Sequence, residues 1–158
     1  MIELKVEKEG LQELVLGLKN FGRDISLLEE PLNDSARYMQ QQAIANFATS
    51  GALMQEGGWP PLKETTVKLK AKRYPGAPMM VRSGTLKRSF EIIGPKIGKD
   101  IGEIEVRNPV EYASYHQFSM NEARLPRRIL LRFQKQQVQD ITNIFARWID
   151  KITNKNFK

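Results

Sequence analysis

Phe90-Glu91-Ile92-Ile93-Gly94-Pro95-Lys96-Ile97-Gly98-Lys99-Asp100-Ile101-Gly102-Glu103-Ile104-Glu105-Val106-Arg107 is the stretch that decides how this chain folds. Phe90, Ile92 and Gly94 alternate with Glu91 and Ile93, and Ile104 and Val106 alternate with Glu103, Glu105 and Arg107. Successive side chains of a strand point to opposite faces, so each run reads as a strand with two unlike sides. Glycines at 98 and 102 bracket a turn, and the two runs are expected to pair as an antiparallel hairpin.

Moving outward, the period changes from two residues to three and four. Upstream, Leu32, Ala36, Met39, Ala43 and Phe47 define the buried side of a helix expected to start at Pro31, with Gln40-Gln41-Gln42 on its polar flank and Gly51 as its cap. Further upstream, Leu11, Leu14, Leu18 and Phe21 mark another helix ending near Gly22, and Ile2-Glu3-Leu4-Lys5-Val6-Glu7 alternates as a strand. Downstream, Pro109 precedes a short helix carrying Tyr112, Tyr115 and His116. Ile141, Ile144, Phe145, Trp148, Ile149 and Ile152 then form the broad apolar stripe of a long C-terminal helix.

Residues 51–80 are the exception, because they are rich in Gly and Pro with little apolar periodicity. Thr65 or Thr66 is expected to cap one short helix, Val67-Lys68-Leu69-Lys70-Ala71, which Tyr74-Pro75-Gly76-Ala77-Pro78 ends. A long irregular stretch with little to bury is expected to be mobile or to stand away from the core. Ser83 is expected to cap a single turn through Leu86 and Lys87.

The chain's 158 residues fit one domain, and its 41% hydrophobic and 27% charged residues suit a globular protein. The expected fold is α+β: a single domain, 1–158, in which a small antiparallel sheet made of the N-terminal strand and the central hairpin packs against helices. No apolar run approaches the roughly 20 residues of a membrane span. Met1-Ile2-Glu3-Leu4-Lys5 has no signal-peptide pattern, so synthesis in a cytoplasm without membrane partners is expected.

Catalytic chemistry finds little purchase. The chain has no cysteine and one histidine, which excludes thiolate zinc sites and a histidine-rich metal site within one chain. His116 has no carboxylate at a spacing that would orient it as a base. Glu103 and Glu105 share a strand face and read as its solvent side rather than as cation ligands. Gly57-Gly58 leads into Trp-Pro-Pro rather than a lysine and a helix, so no phosphate-cradling loop is present. No catalytic residue, cofactor or metal is expected.

The net charge of +7 favours acidic partners. It is concentrated in Lys68, Lys70, Lys72 and Arg73 and again in Arg124, Arg127, Arg128 and Arg132. The first cluster, with Tyr74 beside it, holds the candidate phosphate contacts Lys68, Lys70, Lys72 and Arg73 and supports a second reading as a basic, non-enzymatic DNA-contacting protein. Trp59, between Gly-Gly and Pro-Pro, reads equally as a loop anchor and as an interface anchor.

Several short elements together resemble a known family. They are Gly57-Gly58-Trp59-Pro60-Pro61-Leu62 with Thr65; Arg82-Ser83-Gly84-Thr85-Leu86 with Ser89-Phe90; Tyr112-Ala113 with Tyr115-His116-Gln117-Phe118; and Leu125-Pro126-Arg127-Arg128. Their order and spacing over roughly residues 30 to 132 resemble the phage virion morphogenesis family, which includes tail completion proteins of Mu-like and related contractile-tailed phages. Two elements depart from the family pattern. Ser119 stands where relatives carry glycine, and Pro126-Arg127-Arg128-Ile129-Leu130-Leu131 lacks the second proline and the phenylalanine usual there.

The resemblance implies a non-enzymatic phage or prophage protein acting in tail completion or head-tail joining. Its implied partners are other tail or connector proteins and copies of itself; non-specific DNA contact rests on the basic clusters and not on the resemblance. It is implied to assemble in the host cytoplasm and end in the virion. The candidate interface residues are Trp59, Arg82, Arg88, Tyr115, Arg127 and Arg128; all but Trp59 are taken as one basic-aromatic surface, whose arginines at 127 and 128 are replaceable at little cost in stability.

Overall fold

The computed structural model describes residues 16, 17, 19, 20, 22, 28–98, 102–119 and 125–156. Among them are five helices and one two-stranded sheet, an α+β arrangement. The helices are α1 (Glu29–Ala45), α2 (Glu64–Arg73), α3 (Thr85–Arg88), α4 (Glu111–Phe118) and α5 (Lys135–Asn156), and the strands are β1 (Glu91–Ile97) and β2 (Gly102–Arg107). The N-terminal strand and the Leu11, Leu14, Leu18 and Phe21 stripe lie outside the described residues. Leu16, Gly17, Lys19, Asn20 and Gly22 have helical backbone, so Gly22 is itself helical.

The hairpin forms as its alternation requires. β1 and β2 pair antiparallel, with Glu91 opposite Arg107, Ile92 opposite Val106 and Ile93 opposite Glu105. Glu91 and Arg107 also form a cross-strand ion pair at 2.7 Å. β2 keeps strict alternation in burial, whereas β1 has Ile92 and Ile93 both half-buried. The register slips between Ile93 and Lys96, where Gly94 adopts φ +107° ahead of a cis Gly94–Pro95 bond. A proline cannot donate to the ladder, so it is accommodated at such an irregularity.

α1 is the hub, packing on both strands and on α5. It begins at Glu29, which places Pro31 inside its first turn, and it ends at Ala45, short of the expected cap at Gly51. Leu32, Ala36, Met39 and Ala43 are buried along it as the period predicts, but Gln40 is half-buried and donates to Phe90 O at 2.7 Å. Lys151 pairs with Glu30 at 2.6 Å, and Tyr38 donates its hydroxyl proton to Asp140, so two polar links join α1 to α5. Burial, then the Asp140 hydrogen bond and charge, push the Tyr38 phenol up to about 12. On α5, Trp148 and Ile152 are buried and Ile141, Ile144 and Phe145 half-buried, while Ile149 remains exposed.

The main core joins Ala43, Phe47, Trp59, Leu86, Phe90, Ala113 and Leu130. Phe47 meets the ring edges of Trp59 and Phe90 at centroid distances of 5.2 and 6.4 Å, geometry that aromatic quadrupoles favour. A neighbouring cluster holds Met39, Met54 and Ile129. The expectation that all of 51–80 stands off the core is therefore corrected for its first part. Met54 and Trp59 are core residues, because the chain leaves α1 through tight turns that bring it straight back. Gly51 makes this possible at φ +92°: a Cβ there would lie 2.2 Å from the Trp59 ring.

Two further caps are corrected. α2 starts at Glu64, so Thr65 and Thr66 lie inside it. The turn of α3 is entered through Gly84 at φ +82°, a left-handed conformation glycine adopts without the strain a Cβ brings, rather than through Ser83.

Candidate functional site

The interface residues expected from the sequence do not form one surface. Trp59 is buried and donates its indole Nε1–H to Ile129 O at 2.8 Å. Arg128 is only 4% exposed, donating to Pro60 O at 3.2 Å and to Pro61 O at 3.3 Å. Burial lowers its pKa, yet a guanidinium stays charged, and backbone carbonyls here take the place of a carboxylate. Trp59 thus takes the loop-anchor one of its two readings, whereas Arg128, expected on the surface, is corrected to a buried residue that holds the fold. Adjacent Arg127 is exposed and donates to Gln117 O at 3.0 Å. Arg82, Arg88 and Tyr115 are exposed as expected.

Residues 125–131 belong to no helix or strand, yet Arg128, Ile129 and Leu130 are buried. Buried peptide groups must find partners, and here side-chain amides supply most of them. Gln117 Oε1 accepts from Leu130 N at 2.8 Å and Leu131 N at 3.1 Å, while its Nε2 donates to Leu131 O at 2.8 Å. Gln55 Oε1 accepts from Ile129 N at 2.9 Å, and Asn46 Nδ2 donates to Ile129 O at 3.1 Å. The Arg128 N–H donates to His116 O at 2.8 Å. Nearby, Gln137 Nε2 donates to Leu53 O at 3.0 Å.

Sequence reasoning missed Asn46, Gln55, Gln117 and Gln137. Only Gln117 carried a signal, as part of the Tyr115-His116-Gln117-Phe118 element. Ser119 follows it at φ +40°, in the region that favours glycine, and donates its hydroxyl proton to Leu125 O. The His116 ring meets Tyr112 edge-on at 6.5 Å. Burial, and then the Arg128 charge, hold its imidazole below the ordinary value, and its buried Nδ1 has no partner among the described residues. No group of three His, Cys, Asp or Glu side chains among the described residues is placed to hold a metal, Glu103 and Glu105 included.

One accessible feature is a groove of about 720 Å³ between α2, the segment 80–86 and α4. Leu62, Leu69, Met80, Val81 and Leu86 supply apolar lining, Tyr112 and His116 come from α4, and Lys70, Arg73 and Arg82 supply charge. Arg82 donates its Nε–H to Tyr74 Oη at 2.9 Å with its guanidinium 5.5 Å from that ring's centroid. Arg88 donates to Ser83 O at 3.0 Å.

The four candidate phosphate contacts are divided by the same geometry. Lys68 is paired with Glu64 at 2.7 Å. Lys70 donates to the carbonyls of Ala77 and Pro78, and burial lowers its pKa. Lys72 and Arg73 are exposed. No residue of α2 is buried.

Fold and site together define an α+β protein with an amide-pinned core and an open, basic, apolar-lined groove beside an uncovered helix. The chain belongs to the phage virion morphogenesis family, whose model matches residues 7–150. Membership gives it a phage structural role in virion morphogenesis. No curated protein and no solved structure matches it. No helix among the described residues is long and apolar enough to cross a membrane.

Proposed function

We propose that the chain is a non-enzymatic assembly subunit that completes the phage tail or joins head to tail through protein contacts. The observation carrying this reading is α2, ten residues with no buried side chain, in a chain whose core is closely packed elsewhere. An isolated helix of that length is marginal in water and gains most of its stability from a covered face. A neighbouring subunit supplies such a cover. In this reading the protein collects in the host cytoplasm during assembly, meets tail or connector proteins and further copies of itself, and ends at the tail or the head-tail junction. Arg82, Arg88, Tyr115 and Arg127 remain its exposed contact candidates.

The test is deletion of its gene from the phage with complementation in trans, read by electron microscopy and infectious titre. Unjoined heads and tails, or incomplete tails, are expected, with rescue by the wild-type chain. Normal yields of completed particles without the protein would overturn the proposal.

A further inference from the structure

We propose that the groove beside α2 receives an acidic, aliphatic-bearing linear segment of a neighbouring virion protein, a refinement resting on the assembly reading above. The argument begins with charge complementarity. Lys70, Arg73 and Arg82 line the groove and no Asp or Glu does. Arg82 is held by the Tyr74 hydroxyl through Nε, and its two Nη groups have no hydrogen bond among the described residues. A guanidinium so placed is pre-organised for the paired acceptor oxygens of a carboxylate. Arg73 has no ion pair among the described residues either.

The apolar lining decides between macromolecules. Leu69 is 60% exposed, and Met80 and Leu86 line the same groove. A sugar-phosphate backbone has no projecting apolar side chain to place there, whereas a peptide alternating carboxylates with leucine-like side chains meets cations and apolar surface together. Met80 adds an independent sign: it holds φ +63°, a conformation unfavourable for a residue with a Cβ, where the chain forms the groove wall.

The test uses the full-length protein and three fluorescein-labelled probes in polarisation assays: an alternating Leu and Asp/Glu peptide, a Leu and Lys peptide of equal length, and duplex DNA. The acidic peptide is expected to bind and the basic one not to. The Arg73→Glu, Arg82→Glu double variant should weaken binding at least about tenfold, which is about 1.4 kcal/mol. Leu69→Ser should weaken it without altering the circular dichroism spectrum. Absence of binding, binding indifferent to both variants, or tighter binding of the duplex with the same charge-reversal loss would each overturn the proposal. Such failure alongside a particle-completion defect on gene deletion would remove the groove assignment alone, whereas normal completion would remove the assembly reading itself.

Discussion

Residues 125–131 and helix α2 are opposites. The first has no regular secondary structure yet buries Arg128, Ile129 and Leu130; the second is a regular helix and buries nothing. Local regularity and tertiary order therefore part company in this chain. The irregular segment is held because Gln117, Gln55, Asn46 and Trp59 satisfy its peptide groups while Ile129 and Leu130 enter the core. The helix satisfies its own peptide groups and leaves Val67 and Leu69 in solvent. Stability follows burial with satisfied polar groups, whereas availability for a partner follows their absence of cover.

The largest effects should come from breaking the pinned segment. Trp59→Ala removes a buried ring and the donor to Ile129 O and should cost about 3–5 kcal/mol by chemical denaturation. Arg128→Glu, which would set a carboxylate against the Pro60 and Pro61 carbonyls, should cost at least about 3 kcal/mol. Arg127→Glu, one residue away and exposed, should stay within about 0.5 kcal/mol. Equal effects at 127 and 128 would show that burial does not separate them.

Next in size is Gln117→Leu, which keeps the volume but strips partners from Leu130 N, Leu131 N and Leu131 O. Each buried group left unsatisfied costs about 1–3 kcal/mol, so the melting temperature should fall clearly. Amide exchange at Leu130 and Leu131 should accelerate in this variant, and unchanged exchange would mean that other groups hold the segment.

A smaller effect is written in pH. Unfolded, the His116 imidazole titrates near 6.5; folded, burial and the Arg128 charge depress it. The unfolded chain thus binds more protons between these two values. Its contribution to stability is whole above 6.5, falls as pH drops through that window, and levels off below the folded value. Denaturation of wild type and His116→Gln across this range should show stability rising more steeply with pH in the wild type. Identical slopes would contradict the depressed pKa.

The smallest effects belong to the uncovered helix. Leu69→Ser should change stability by no more than about 0.5 kcal/mol, because the side chain is already in solvent. In the isolated protein, amides of 61–80 should exchange faster than those of 125–131, despite the helix in the former. Slow exchange throughout 61–80 would show that α2 is held without a partner.

Much of the fold is legible in the amino-acid order. The hairpin follows from alternation at Ile104 and Val106, α1 from the spacing of Leu32, Ala36, Met39 and Ala43, and the long α5 from its stripe, because periodicity reports which side of an element meets apolar surroundings. The family is legible too, since its elements are short side-chain patterns that keep order along the chain. Tertiary structure alone decided that Arg128 is buried while Arg127 is exposed, that Trp59 anchors the core, that Lys70 serves its own loop, and that Gln117 works as a backbone partner. These outcomes depend on which carbonyls and N–H groups arrive from distant positions in the chain. A polar side chain goes inside only where such groups await it, and one sequence position does not disclose them.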